Sequence, residues 1–194
     1  MRFDKIPIDT FKQIQLNAGV LLNKFEPQLP NIQENDRIGA TSGGIIFSAK
    51  PTFKDFGEDI DNCPKNTKEL KKLESWEVLM SGTFTTLKPE TAKMLVAVAD
   101  VLSEKITPRN DLADKDFSDL WFVGDYSDEN GAKNGGMIAI HIMNALSTGG
   151  FQLQTADREK GKFAFEFMGH YSMAEQDKVP FEIYVKAGTP EEAA

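Results

Sequence analysis

The sequence predicts a mainly-β or α+β domain, arranged as a sandwich or a partly closed barrel with one embedded helix. Three observations predict it. Several stretches alternate apolar and polar residues with a period of two, the pattern of half-buried strands. Clusters of Gly, Asn, Asp and Ser separate them, as turns between paired strands require. One run has the wider spacing of a helix. Many strands with one helix leave few layer architectures to choose from.

The elements follow in chain order. Ile14, Leu16, Ala18, Val20 and Leu22 form a first stripe. Residues 45–49 read as a short strand, and Trp76, Val78, Met80 and Phe84 form a second stripe. A helix is expected over residues 89–103. Pro89 suits its first turn, where a missing N–H costs nothing, and Ala92, Leu95, Ala99 and Leu102 follow i, i+3, i+4 spacing. Met94, Val98 and Val101 form a second stripe beside it. Together the two span more than the ~100° that a surface helix needs to cover its own core. Such a helix is either deeply buried or meets another chain with its second stripe.

Residues 120–126 and 137–146 read as strands joined by a hairpin loop over residues 128–136, rich in Asn and Gly. In the second of them Ile138, Ile140, Ile142 and Leu146 share one face, opposite Met137, Ala139, His141, Met143 and Ala145. Residues 151–155 form a short strand between turns at 147–150 and 159–161. Phe163, Phe165, Phe167 and Tyr171 lie opposite Glu166 and His170, and Phe181, Ile183 and Val185 alternate with Glu182, Tyr184 and Lys186. The longest segment without a strand pattern is 51–73, with a short helix expected over 66–73. It runs from acidic residues to basic ones, an order that would let the loops of two subunits meet.

Composition bounds the function. The chain has 194 residues; 22 Lys and Arg against 30 Asp and Glu give a net charge of −8. That length suits one domain, residues 1–194. A hydrophobic content of 40% with 14 Phe supports a core and excludes a disordered chain. The acidic balance disfavours duplex-DNA binding and docking on anionic membranes. A single cysteine, Cys63, allows no intrachain disulfide and suits a reducing interior. The N-terminus has no apolar run of a signal peptide. The most apolar stretch, 94–102, is far shorter than the ~20 residues of a bilayer span. A protein that folds inside a cell is expected.

The sequence offers little chemistry. Its two histidines, His141 and His170, are expected on the polar faces of strands, without a Cys at ligand spacing, and no HExxH or CxxC is present. Residues 39–44 are glycine-rich but lack the lysine of a P-loop. There is no nucleophile elbow. Cys63 beside Lys65 has the makings of a reactive thiol but reads better as a packed turn residue. Residues 125–131 lack the first and last oxygen ligands of a calcium loop. Asp111, Asp114, Asp116 and Asp119 read as a solvated loop. No catalytic, metal or cofactor set emerges, and an enzyme is not expected.

Several blocks nevertheless carry a resemblance. One is Asp55-Phe56-Gly57-Glu58-Asp59-Ile60-Asp61-Asn62-Cys63-Pro64-Lys65-Asn66, running into Leu73-Glu74-Ser75-Trp76-Glu77-Val78 and Ser81-Gly82-Thr83-Phe84. Others are Pro108-Arg109-Asn110-Asp111-Leu112 with Leu120-Trp121-Phe122-Val123-Gly124-Asp125-Tyr126, and Met143-Asn144-Ala145-Leu146-Ser147-Thr148-Gly149-Gly150-Phe151. The last is Lys162-Phe163-Ala164-Phe165-Glu166-Phe167 with Gly169-His170-Tyr171-Ser172 and Val179-Pro180-Phe181. Across nearly its whole length the chain resembles the major tail tube proteins of long-tailed (siphovirus-type) bacteriophages and Gram-positive prophages.

The resemblance implies two packed antiparallel sheets flanked by one helix, and self-assembly into stacked hexameric rings around a DNA ejection channel. A tape-measure protein and other tail components would be partners, DNA would pass without specific binding, and no membrane would be involved. The protein would sit in the virion tail, and in the host cytoplasm during assembly. An acidic lumen would repel phosphate and prevent sticking. The expected assembly residues are Phe53, Asp55, Phe56, Glu58, Asp59, Lys65 and Lys68 of the loop 50–73, with Met94, Val98 and Val101 of the helix. Gln152, Glu166 and Glu182 are expected to face the lumen. The segment 1–11 and the tail 187–194 are further assembly or mobile elements. Two alternatives stand beside this: a tube subunit of a phage-tail-like bacteriocin or injection particle, and a β-sandwich module for a carbohydrate or host-surface ligand.

Overall fold

A computed structural model describes residues 6–7, 10–29, 31–126 and 135–188. The expected hairpin loop at 128–136 therefore lies largely outside the described residues, as do most of the segment 1–11 and the tail 187–194. The strands are β1 (Gln15–Leu22), β2 (Arg37–Gly39), β3 (Thr41–Asp55), β4 (Lys71–Phe84), β5 (Ala99–Leu102), β6 (Lys105–Pro108), β7 (Ser118–Tyr126), β8 (Met137–Ser147), β9 (Gln152–Gln154), β10 (Lys162–Met168) and β11 (Phe181–Lys186). Among the described residues one α-helix, α1 (Pro89–Val96), lies between β4 and β5.

The chain is mainly β, as its periodicity predicts. Nine strands form one antiparallel sheet with the path β2-β1-β7-β8-β10-β4-β3, β11 on β8 and β9 on β10; β5 and β6 form a separate hairpin. Strand β8 carries the fold-over. Met137 to Ile142 pair with β11, whereas Leu146 and Ser147 pair with β10. The two halves of the sheet thus face each other across one core. Leu21, Leu120, Phe122 and Ile142 come from one half and Val78, Met80, Phe84, Phe165 and Phe167 from the other. At the far side only Ala40 separates β2 from β3, so the path's two ends are neighbours in the chain without closing a barrel.

The second predicted stripe is the spine of this core: Val78, Met80 and Phe84 are fully buried. Its gap at Gly82 has a cause. A Cβ there would lie 2.7 Å from the Phe165 ring, which fills the space a side chain would need. The helix docks by the same logic, with Leu95 in the core and the buried Thr91 hydroxyl donating to the Ile38 carbonyl (2.8 Å).

Four expectations need correction. The first stripe breaks at a bulge between Leu16 and Val20, where Asn17 (φ 60°) and Gly19 (φ 69°) take the left-handed conformation. As a result Leu21 enters the main core, while Leu22 enters a second cluster with Phe25, Trp121, Val123 and Ala139 on the outer face. The helix ends at Val96, not near residue 103. Ala97 turns to φ 69°, and Val98, Ala99 and Val101 continue into the β5–β6 hairpin, so the second helical stripe does not exist. On β8, Asn144 at φ 49° reverses the alternation, and Ala145 rather than Leu146 joins Ile142 in the core. Lastly, β3 and β4 stay paired out to Asp55 and Lys71. Phe53 and Asp55 are strand residues, the true loop is 56–70, and its helical content is one 3-10 turn, Lys68–Leu70.

Candidate assembly surface

The β3–β4 hairpin is built in two halves. Its inner half belongs to the sheet, since β10 pairs β4 from Leu79 to Phe84. Beyond Trp76 the two strands pair only with each other, and most side chains are exposed. A bulge between Thr52 and Phe53 shifts the alternation there.

The loop at its end is organised by Asp55. The Gly57 and Asn66 N–H groups each donate to its carboxylate at 2.9 Å. Those two bonds, with help from Lys71, hold the carboxyl below its ordinary range. Lys71 Nζ donates to Asn66 Oδ1 (3.2 Å) and the Thr67 hydroxyl to the Pro64 carbonyl (2.7 Å). Cys63 Sγ lies 3.7 Å from Thr67 Oγ1 and is part of this packing. Asp55 therefore shapes the loop from within.

What the hairpin presents is apolar and charged with both signs. Phe53, Phe56, Ile60 and Leu73 are between 42% and 53% exposed. Lys54 Nζ sits 5.4 Å from the centre of the Phe56 ring, and Lys71 Nζ 5.5 Å from that of Phe53. Residues 50–73 hold six lysines and five carboxylates, so this segment is +1 where the rest of the chain is −9. Glu58, Asp59, Lys65 and Lys68 are exposed around the tip, with Lys68 paired to Glu69 at 3.4 Å.

The remaining expected residues lie elsewhere. Met94 is half-buried against the main core. Val98 and Val101 sit beyond the helix and do not extend its face. Gln152 and Glu166 share the outer face of β9 and β10, since Gln152 is opposite Ala164, two residues from Glu166. Glu182 instead faces outward on β11, opposite His141, in the other half of the sheet. The three therefore lie on two different halves of the folded sheet.

Two polar clusters went unnoticed in the sequence. Asp116 is buried rather than solvated, and Arg109 Nη2 donates to both its oxygens (2.5 and 2.7 Å). Burial pushes this carboxyl up, but the Ala113 N–H and Arg109 together outweigh it and hold it below the ordinary range. Arg109 Nε also lies 3.0 Å from Asp100, which takes a second cation from Lys115 (2.6 Å). The cluster straps the β5–β6 hairpin to the segment before β7. The second cluster surrounds His141, which stacks on Trp121 with ring centres 4.0 Å apart. Its Nε2 lies 3.1 Å from Asp119, in a line too bent for a hydrogen bond, and Tyr184 donates to Glu182 (2.5 Å) on the far side. His170 follows β10 in a loop, not on a strand, with Nδ1 3.0 Å from the Asn144 carbonyl oxygen. Only the Arg at 109 ahead of an acidic run hinted at either cluster.

Comparison with protein-family models and with curated proteins finds no match for the chain.

Proposed function

We propose that the chain is a structural subunit of a phage tail tube that assembles into stacked rings around a DNA channel. The observation that carries this reading is the β3–β4 hairpin. A monomer gains nothing by holding four large apolar side chains half in water on the outer strands and the ordered, hydrogen-bonded loop of this hairpin. A subunit that buries them against a neighbour does. The folded antiparallel sheet with one docked helix, and the resemblance of sequence blocks over most of the chain, support the same reading. The acidic charge suits a channel through which DNA must slide. A tape-measure protein inside the tube and a place in the virion belong to this proposal.

Negative-stain electron microscopy of concentrated protein tests it. Hollow tubes of uniform width are expected. Replacing residues 56–70 with a two-residue Asn-Gly turn should leave a monomer with native circular dichroism that forms none. Normal tubes from that variant would overturn the role of the hairpin. A wild-type chain that never assembles and binds a glycan array would move the assignment to a binding module.

A further inference from the structure

A cleft of about 500 Å³ opens beside the loop 169–180, which joins β10 to β11. Asp114, Phe117, His170, Tyr171, Ser172 and Met173 are among its walls. The loop carries no strand, yet it is pinned at both ends. The Gly169 and His170 N–H groups donate to the Val78 and Met143 carbonyls (3.0 and 3.2 Å), and the Met143 N–H donates to the Pro180 carbonyl (2.9 Å). Asn144 then grips His170 twice. Its side-chain amide donates to the His170 carbonyl (3.1 Å), and its own carbonyl oxygen lies 3.0 Å from His170 Nδ1. Asn144 makes both contacts from a left-handed conformation, φ 49°, which an L residue adopts at some cost. A carbonyl oxygen can only accept. Nδ1 therefore carries the proton of the neutral ring, and Nε2 is left as an acceptor.

The bonds left over in the cleft are of both kinds. The Tyr171 hydroxyl accepts from the Trp76 N–H (3.1 Å) and the Ser172 hydroxyl from the Ala174 N–H (3.2 Å). Each keeps its own O–H to donate. On the accepting side stand His170 Nε2 and the exposed Asp114 carboxylate, neither with a hydrogen-bond partner among the described residues. Apolar surface lies beside them: Phe117, edge-on to His170 with ring centres 5.3 Å apart, Tyr171 at 42% exposure and Met173 at 89%. We infer that this cleft binds a single neutral pyranose unit, an inference that goes beyond the tube reading and does not depend on it. Each sugar hydroxyl both donates and accepts, so a sugar uses two donors and two acceptors together. The C–H groups on one face of a pyranose carry slight positive charge and settle on the negative face of an aromatic ring. An anion would be repelled by Asp114 and by the Nε2 lone pair. A cation would use the two acceptors and leave both hydroxyl donors without a partner. The volume lies within the ~300–1,000 Å³ of small-molecule sites. The pinned loop lowers the cost of ordering the site around its ligand.

Saturation-transfer difference NMR on the full-length protein tests this. It reads the signals of the small molecule, so it works on monomers and tubes alike. The probes are methyl α-glucopyranoside, methyl β-galactopyranoside and N-acetylglucosamine at millimolar concentration, against choline, methyl phosphate and adenosine. Transfer to at least one of the sugars is expected, strongest to the C–H protons of one ring face, with none to methyl phosphate. Asp114→Ala removes an exposed carboxylate and should weaken the binding about tenfold, and Tyr171→Phe, which keeps the ring, about threefold. Both variants should keep native circular dichroism. No transfer to any of the three sugars overturns the inference, and so does sugar binding that is unchanged in both folded variants. Stronger transfer to choline or to adenosine overturns it as well and assigns the cleft to a cation or to a flat base. None of these outcomes bears on the tube reading, which microscopy decides separately.

Discussion

Ala97 holds φ 69° and ψ −70°, a conformation that an L side chain adopts only under strain. It stops the helix because its N–H still reaches back to the Lys93 carbonyl (3.1 Å) while the chain turns away. Ala97→Gly should raise the stability by about 1 kcal/mol in urea unfolding, since glycine takes this conformation without a Cβ clash. Ser147 is the converse case. Its hydroxyl is buried in the sheet without a hydrogen-bond partner among the described residues. A buried polar group left unmatched costs about 1–3 kcal/mol, so Ser147→Ala should be neutral or stabilising. A loss above about 1 kcal/mol would show that the hydroxyl has a partner, such as a bound water. Ala97 explains why residue-level reading misplaced the helix end. Val96-Ala97-Val98 continues an apolar run, and nothing in it announces a left-handed turn.

At the scale of elements, what failed was alternation across interruptions. The stripe in β4 was readable because the strand is regular through the body and its missing member is a glycine under Phe165. Gly82→Val should therefore cost about 1–3 kcal/mol or more, read from the urea midpoint at constant slope. The stripes in β1 and β8 were misread because Asn17, Gly19 and Asn144 take positive φ and reverse which side faces the core. The β5–β6 hairpin was missed because its first strand continues the apolar spacing of the helix, and its hold on the body is partly ionic. Arg109→Met strands the buried Asp116 carboxylate and should lower the melting temperature. It should also speed amide exchange in Ala99–Leu102 and Lys105–Pro108 before the central strands respond. Equal acceleration in β8 would show that the strap serves the whole sheet.

At the scale of the whole molecule, the carboxylates set the pH behaviour. Asp55, Asp100 and Asp116 all have folded-state pKa values below their ordinary one, Asp100 chiefly through its hydrogen bond from Lys115. A lowered value means that the folded state holds its protons less tightly than the unfolded chain. The stabilisation is then complete above the ordinary carboxylate range and is lost as pH falls through the folded values. Melting temperature should be level near neutrality and fall below about pH 4. Asp116→Asn should start lower and fall less steeply. Tyr184 has the opposite sign: its bond to Glu182, then burial, raises its pKa, so its contribution is lost only as pH rises past about 10. A melting temperature that climbs as pH falls below neutrality would contradict the carboxylate assignments.

The sequence alone determined the class of the fold, most of its strands, the spine of the core and the acidic character of the surface. Each is local: a period-two pattern, an Asn- or Gly-rich turn or a count of charges does not depend on what packs where. It also marked residues 50–73 as unusual, because a charged, aromatic-bearing stretch without a strand period stands out in any context. Tertiary structure alone decided that residues 50–55 and 71–73 of this segment are strand, that β8 serves both halves of one folded sheet, and that Glu182 faces away from Glu166. The same holds for the strap around Asp116. These depend on contacts between residues far apart in the chain, and on a few left-handed residues whose conformation is settled by what they allow to meet.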